Sequence, residues 1–257
     1  MTQEIIVVKY GSSSVSNDTG MDRERLAGYA ADLAEARQRY GVVVVSSGSV
    51  AVGRCLWRQA EQTDRLVPSD RSLAMIGSGA AFTAWQEAFE RHGLFTGQLP
   101  ITHREVDDPT EGPSLLNALH ENLAAGIVTV ANENDALSDT ELAKLSYGGD
   151  NDGLAAHLAI AVGAKALLLM TNRDGLLNGN RAVRRVGLRT SEWAIAYQYI
   201  EQAESSEGKG GMESKFNAAS YAADAGVQAY IANASHAIAD VLSGQIGTHF
   251  VAADIKR

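Results

Sequence analysis

Short apolar runs rich in β-branched residues recur along the chain at Ile5 to Val8, Val42 to Val45, Ile127 to Val130, Ala166 to Met170 and Val227 to Ile231. They are continuous rather than alternating, which is the pattern of strands buried on both faces. Between them lie longer stretches with apolar residues at helical spacing: Asp22 to Tyr40, Ser72 to His92, Ser114 to Ala125, Asp152 to Val162 and Glu213 to Ala225. Strands alternating with helices predict crossover units and an open, mostly parallel sheet covered on both sides, a three-layer αβα sandwich. The polar stretch from Thr102 to Pro113 carries two prolines and is predicted to be a loop, over the site or at a subunit contact.

Open sheets of this kind bind ligands beyond the carboxyl ends of their strands. The polar segments fall there. The first strand runs into Lys9-Tyr10-Gly11-Ser12-Ser13, which offers an ammonium with backbone and hydroxyl donors for a phosphate; a surface lysine before a flexible turn has the same pattern. It is neither a Walker A loop nor a dinucleotide fingerprint. Ser47-Gly48 follows the second strand and suits an anion nest at a helix start, or a plain strand-to-helix turn. Asn132-Glu133-Asn134-Asp135 follows the third, where one carboxylate among amides suits an α-ammonium; an Asx-turn is the commoner reason for such residues. Gly149-Asp150-Asn151-Asp152 opens a helix with more carboxylates than one cap requires, enough to pair with lysines over phosphates. Gly208-Lys209-Gly210-Gly211-Met212 precedes a helix whose N-terminal amides and Lys215 suit phosphate binding, unless the turn is merely a solvated loop.

Charge and composition narrow the class. With 22 basic against 31 acidic residues the net charge is -9, so nonspecific nucleic-acid binding has no electrostatic support. An anion must then be held by local devices of the kind just described. No run is apolar for long enough to span a bilayer, and the start (Met1 to Glu4) has no basic leader pattern. Cys55 is the sole cysteine, so an intramolecular disulfide is impossible and a reducing cytoplasm is the simplest compartment. Cys55 reads as a small buried residue, Trp57, Trp85 and Trp193 as packing residues, and the six histidines lack metal-ligand spacing. No residue is assigned to a metal.

The ordered set of segments resembles the amino acid kinase family, in its glutamate 5-kinase (γ-glutamyl kinase) branch. Val7 to Ser13 looks like the first phosphate loop, Val45 to Gly53 the second glycine loop, Asn132 to Ala136 the substrate segment. Gly149 to Asp152 and Gly210 to Lys215 complete the series. The resemblance implies an amino acid kinase-like fold and transfer of the ATP γ-phosphoryl to the γ-carboxylate of glutamate, opening proline biosynthesis. It implies that Lys9 and Lys215 neutralise the moving group and that Asp152 orients both. Ser47, Gly48, Asp135 and Asn151 would hold the amino acid. Gly11, Ser12, Thr171, Asn172, Lys209, Gly210, Gly211 and Met212 would hold the nucleotide, with Mg2+ bridging its phosphates through water.

The whole chain, 1–257, is read as one kinase domain, with the acceptor site in residues 1–163 and the nucleotide site in 164–257. No RNA-binding-like domain, common in bacterial members, is expected after it, and a homo-oligomer (dimer or tetramer) is implied. Four features depart from the family pattern: Thr171-Asn172 in place of Thr-Asp, a short Leu176 to Arg185 stretch, the charge at Lys209, and a longer 136–149 segment. The competing readings are a kinase of the same family acting on another small carboxylate or phosphate acceptor, and a ligand-binding relative without catalysis.

Overall fold

In the computed structural model the described residues are 3–60, 66, 68–137, 151–203 and 211–252. Among them, eight strands form one sheet: β1 (Glu4–Tyr10), β2 (Tyr40–Ser46), β3 (Thr96–Ile101), β4 (Val128–Glu133), β5 (Ala166–Thr171), β6 (Arg185–Gly187), β7 (Gln228–Asn233) and β8 (Thr248–Val251). Their spatial order is β6-β8-β7-β5-β1-β2-β4-β3. The six from β7 to β3 are mutually parallel, while β8 runs antiparallel to β7 and parallel to β6. The expected mostly parallel three-layer sandwich is what forms.

Side chains of a strand alternate between faces, and here each face meets helices. Val7, Val43, Val45, Leu167 and Leu169 pack one way, into a core shared with α6 (Glu111–Ala125), α7 (Asn151–Ala161) and α9 (Gly211–Asp224). Ile6, Val8, Val42, Val44 and Leu168 pack the other way, against α2 (Arg23–Ala36), α4 (Asp70–Glu90) and α10 (Ile238–Leu242). That is why the strands read as unbroken apolar runs.

Two expectations need correction. The helix from Asp22 ends at Ala36, because β2 begins at Tyr40 and needs the intervening residues as a turn. Its start is as read: the Asp22 side chain accepts the Arg25 amide at 3.1 Å. The segment from Thr102 to Pro113 is not a loop. It holds a short helix, α5 (His103–Asp107), and the start of α6. Thr102 and Glu105 form a reciprocal capping box, with the Thr102 amide donating to Glu105 Oε2 at 2.7 Å. Pro113 sits in the first turn of α6, where a missing N–H costs nothing.

α3 (Ser49–Gln59) and α4 pack backbone to backbone. A Cβ on Gly77 would run into the Ser49 carbonyl and the Gly53 nitrogen, and one on Gly53 would run into the Leu73 carbonyl. These two glycines let α4 press against the first turn of α3. They thereby fix Ser49 beside the strand ends.

Candidate active site

Register brings the predicted segments to one edge. Tyr10 pairs with Ser46 and Met170, Thr171 with Asn233, and Glu133 with Ile101, so the parallel strands end almost level. A cleft of about 360 Å3 opens there. Lys9, Gly11, Ser12, Ser47, Gly48, Asp135, Asn151, Asp152, Thr171, Gly211 and Lys215 all line it. Two other predicted residues lie elsewhere: Asn172 lines a neighbouring groove, and Met212 packs against the core. Lys209 and Gly210 fall outside the described residues, as do Gly149 and Asp150.

The centre of the cleft is a buried charge group. Lys9 Nζ lies 2.5 Å from Asp152 Oδ1, and Lys215 Nζ lies 3.0 Å from Asp152 Oδ2. All three are buried, with relative exposures of 4%, 1% and 8%. Local geometry explains the meeting. Lys9 shares the strand face of Val7, the face that α7 and α9 cover. Asp152 stands in the first turn of α7. Lys215 stands in α9, where side chains lean toward the helix N-terminus, and its Nζ also donates to the Gly211 carbonyl at 3.0 Å. Burial alone would raise the Asp152 carboxyl; the ammonium charges of Lys9 and Lys215 and their hydrogen bonds outweigh it and hold it below the usual carboxylate range. The group therefore carries two positive charges against one negative.

The turns around it expose backbone. Gly48 has φ +113, in the left-handed region, and a Cβ there would meet Val15 Cγ2 at 3.3 Å and Met21 Sδ at 3.4 Å. The Ser47 amide donates to the Tyr10 carbonyl at 3.1 Å, which fastens this turn to the first phosphate-loop candidate. Asn151 Oδ1 accepts the Glu133 amide at 2.9 Å, so this residue ties the start of α7 to the end of β4 while lining the cleft.

A second cavity of about 350 Å3 adjoins the cleft and shares Ser47, Ser49, Asn132 and Asp135 with it. Its floor is Phe82, Trp85, Leu99 and Val130. Asp135 stands at the junction; burial first, and the charge of Asp70 after it, raise its carboxyl above the usual range, against the lowering effect of its own backbone amide. Two hydrogen bonds here escaped the sequence reading. Asn132 Nδ2 donates to Ser49 Oγ at 2.8 Å, and Trp85 Nε1 donates to Ser46 Oγ at 2.7 Å. Trp85 is fully buried, so it is a packing residue as expected, but it also lines the cavity. These partners lie 83 and 39 residues apart, and no local pattern announces them.

Among the described residues no group of three or more His, Cys, Asp or Glu stands together as a metal site, and no helix is long and apolar enough to cross a membrane. His157 instead pairs with Asp107 at 3.2 Å, linking α7 to α5.

The profile of the amino acid kinase family matches residues 4–233, and the chain belongs to that family. Within it, similar curated proteins include glutamate 5-kinases. That of Myxococcus xanthus is 33% identical over 98% of this chain and 68% of its own length. That of Halalkalibacterium halodurans is 32% identical over 95% and 66%, and that of Rhodococcus opacus 36% over 96% and 67%. The chain thus spans about two thirds of the length of these relatives. Among solved structures, the carbamate kinase of Giardia lamblia bound to AMP-PNP superposes with a TM-score of 0.69 at 15% identity, covering 97% of this chain and 99% of that one. The N-acetylglutamate synthase of Neisseria gonorrhoeae, complexed with coenzyme A and L-arginine, gives 0.60 at 17% identity over 96% and 61%. Both share the fold.

Proposed function

We propose that the chain transfers the γ-phosphoryl group of ATP to the γ-carboxylate of L-glutamate, giving γ-glutamyl phosphate and ADP at the start of proline biosynthesis. The observation that carries this reading is the buried Lys9–Asp152–Lys215 group at the end of the parallel strands. The names of the relatives support glutamate as the acceptor, and the AMP-PNP in the carbamate kinase neighbour supports a nucleoside triphosphate donor. A homo-oligomer working in the cytoplasm belongs to the same proposal.

In this reading a γ-carboxylate oxygen attacks the γ-phosphorus in line, and the bond to the β,γ-bridging oxygen breaks with its electrons leaving on ADP. A carboxylate is already ionised, so no general base is needed. The work is positioning and charge neutralisation. Lys9 and Lys215 face the phosphoryl oxygens, and Asp152, kept ionised between them, fixes both ammonium groups without taking a proton. Gly11 and Ser12 on one side, and the first amides of α9 at Gly211 and Met212 on the other, hold the triphosphate with Lys209 and Gly210. Thr171 and Asn172 receive the nucleoside. Ser47, Gly48 and Asn151 orient the amino acid, and Asp135 binds its α-ammonium, which would restore that carboxylate to an ordinary titration. The acceptor half of the site then lies in residues 1–163 and the nucleotide half in 164–257.

Among the described residues, no cluster of side chains fits a protein-held Mg2+, and both Asp152 oxygens are taken by lysines. Mg2+ is therefore proposed to arrive on the ATP phosphates, and no step above is routed through it.

The test is a coupled assay with ATP and glutamate in which hydroxylamine traps the acyl phosphate as a hydroxamate. Hydroxamate formation supports the proposal. Turnover with a different acid but none with glutamate refutes the acceptor, and no turnover across a broad acceptor panel refutes the catalytic reading.

A further inference from the structure

A groove of about 690 Å3, larger than either cavity of the candidate active site, runs along α2 on the far side of Thr171 from the cleft. One wall is the face of α2 that carries Arg25, Asp32 and Glu35, and the other is the turn 233–237 after β7. Thr171 lines both it and the cleft. Nothing in the proposed reaction uses the α2 wall.

Charge is laid out in order along that wall. Arg25 stands toward one end, and Asp32 follows seven residues later, roughly 10 Å along the helix at 1.5 Å per residue. Glu35 is about one turn further on. Arg25 spends Nη1 on the Ser13 carbonyl at 3.1 Å and Nε on Asp22 at 3.3 Å, which leaves further guanidinium donors. Asp32 Oδ2 accepts the Ile238 amide at 2.9 Å, which anchors the carboxylate at the start of α10. The charges that act on Asp32 are those of Glu35 and Asp240, both negative. A second, independent observation comes from Ser14. It is buried to 2% exposure on the groove wall, and its hydroxyl has no hydrogen-bond partner among the described residues. Buried hydroxyls are rarely left without a partner.

We propose that this groove is a binding site for a small linear zwitterion, with its carboxylate at Arg25 and its ammonium between Asp32 and Glu35. A metal ion would leave most of the volume empty. A simple anion would meet two carboxylates, and a simple amine would leave the remaining Arg25 guanidinium donors unused.

Isothermal titration of the full chain with 6-aminohexanoate, using hexanoate and hexylamine as one-ended controls, tests this without reference to the phosphoryl-transfer reading. One saturable site is expected for the zwitterion, with each control at least tenfold weaker. Arg25→Gln and Glu35→Gln change exposed side chains and should each weaken the zwitterion about tenfold, and Glu35→Gln should leave phosphoryl transfer unchanged. Asp32→Asn keeps an acceptor for the Ile238 amide and should weaken binding at least as much. No saturable heat at millimolar concentration overturns the proposal. So does hexylamine binding as tightly as the zwitterion, or an affinity that none of the three substitutions alters.

Discussion

Asp152→Asn would remove the negative charge that lies 2.5 Å from Lys9 and 3.0 Å from Lys215, leaving two ammonium groups facing each other across a neutral amide. Breaking a buried ion pair by deleting one partner costs about 3–5 kcal/mol, because the stranded charge keeps its desolvation penalty. The high burial of all three residues gives solvent little room to relieve it. Against a total stability of roughly 5–15 kcal/mol this is a large fraction. With a urea m-value of about 3 kcal/mol/M for a domain of this size, the midpoint should fall by roughly 1–1.7 M at neutral pH.

The companion variant is Lys215→Met, which leaves Lys9 and Asp152 as a balanced pair. Adding it to Asp152→Asn removes one of the two stranded charges. The double variant should therefore be more stable than the sum of the single effects by more than about 1 kcal/mol. The pH dependence has a definite sign. The Asp152 carboxyl is depressed in the folded chain, so its contribution is present above the unfolded carboxylate range and is lost as pH falls through the folded value. The gap between wild type and Asp152→Asn should accordingly close in acid. An Asp152→Asn midpoint within experimental error of wild type, or strict additivity in the double variant, would refute the charge-group argument.

Other outcomes follow from the same geometry. Lys215→Ala should lower turnover about 10²–10³-fold, since one charged donor to a transferring group is worth about 2.7–4 kcal/mol, with far-UV circular dichroism unchanged. Near-wild-type turnover would put the phosphates elsewhere. Asp135→Asn should raise KM for glutamate about 10- to 150-fold, the equivalent of about 1.5–3 kcal/mol for a charged hydrogen bond, and leave KM for ATP alone. In wild type, KM for glutamate should also rise as pH falls through the raised Asp135 value, and the Asn variant should lose that dependence. Equal effects on both substrates would remove Asp135 from the acceptor site. Gly77→Ala forces α4 away from Ser49 and should cost about 1–3 kcal/mol in urea titration; an unchanged midpoint would mean the two helices are not in backbone contact.

The central strands were legible because burial on both faces leaves an unmistakable apolar run, as at Val42 to Val45. Edge elements were not. Thr96–Ile101 pairs on one side only and tolerates Gly97, Gln98 and Pro100, so it carries little apolar signal. β6 and β8 have three and four residues, too few for any period to show. The α5 helix was readable in hindsight, since Thr102 followed three residues later by Glu105 is a capping signature; the two prolines nearby masked it. At the candidate site, Lys9, Asp152 and Lys215 stood out through their glycine-rich or acidic neighbours. Their convergence depends on strand register and helix placement, which sequence constrains only collectively. The Asn233 to Asp174 hydrogen bond of 2.9 Å, which joins the end of β7 to the loop after β5, bridges 59 residues and had no local sign.

The charge group also has an order in time. A ribosome adding about 5–20 residues per second makes Lys9 first, Asp152 some 7–30 seconds later and Lys215 only after a further 3–13 seconds. The first two charges cancel, so a nascent chain that has folded its early strands around Lys9 and Asp152 carries no net charge in that core. The excess positive charge appears with α9, the last of the three elements to be synthesised. The net positive charge of the group is thus withheld until six of the eight strands, β1 to β6, have been made.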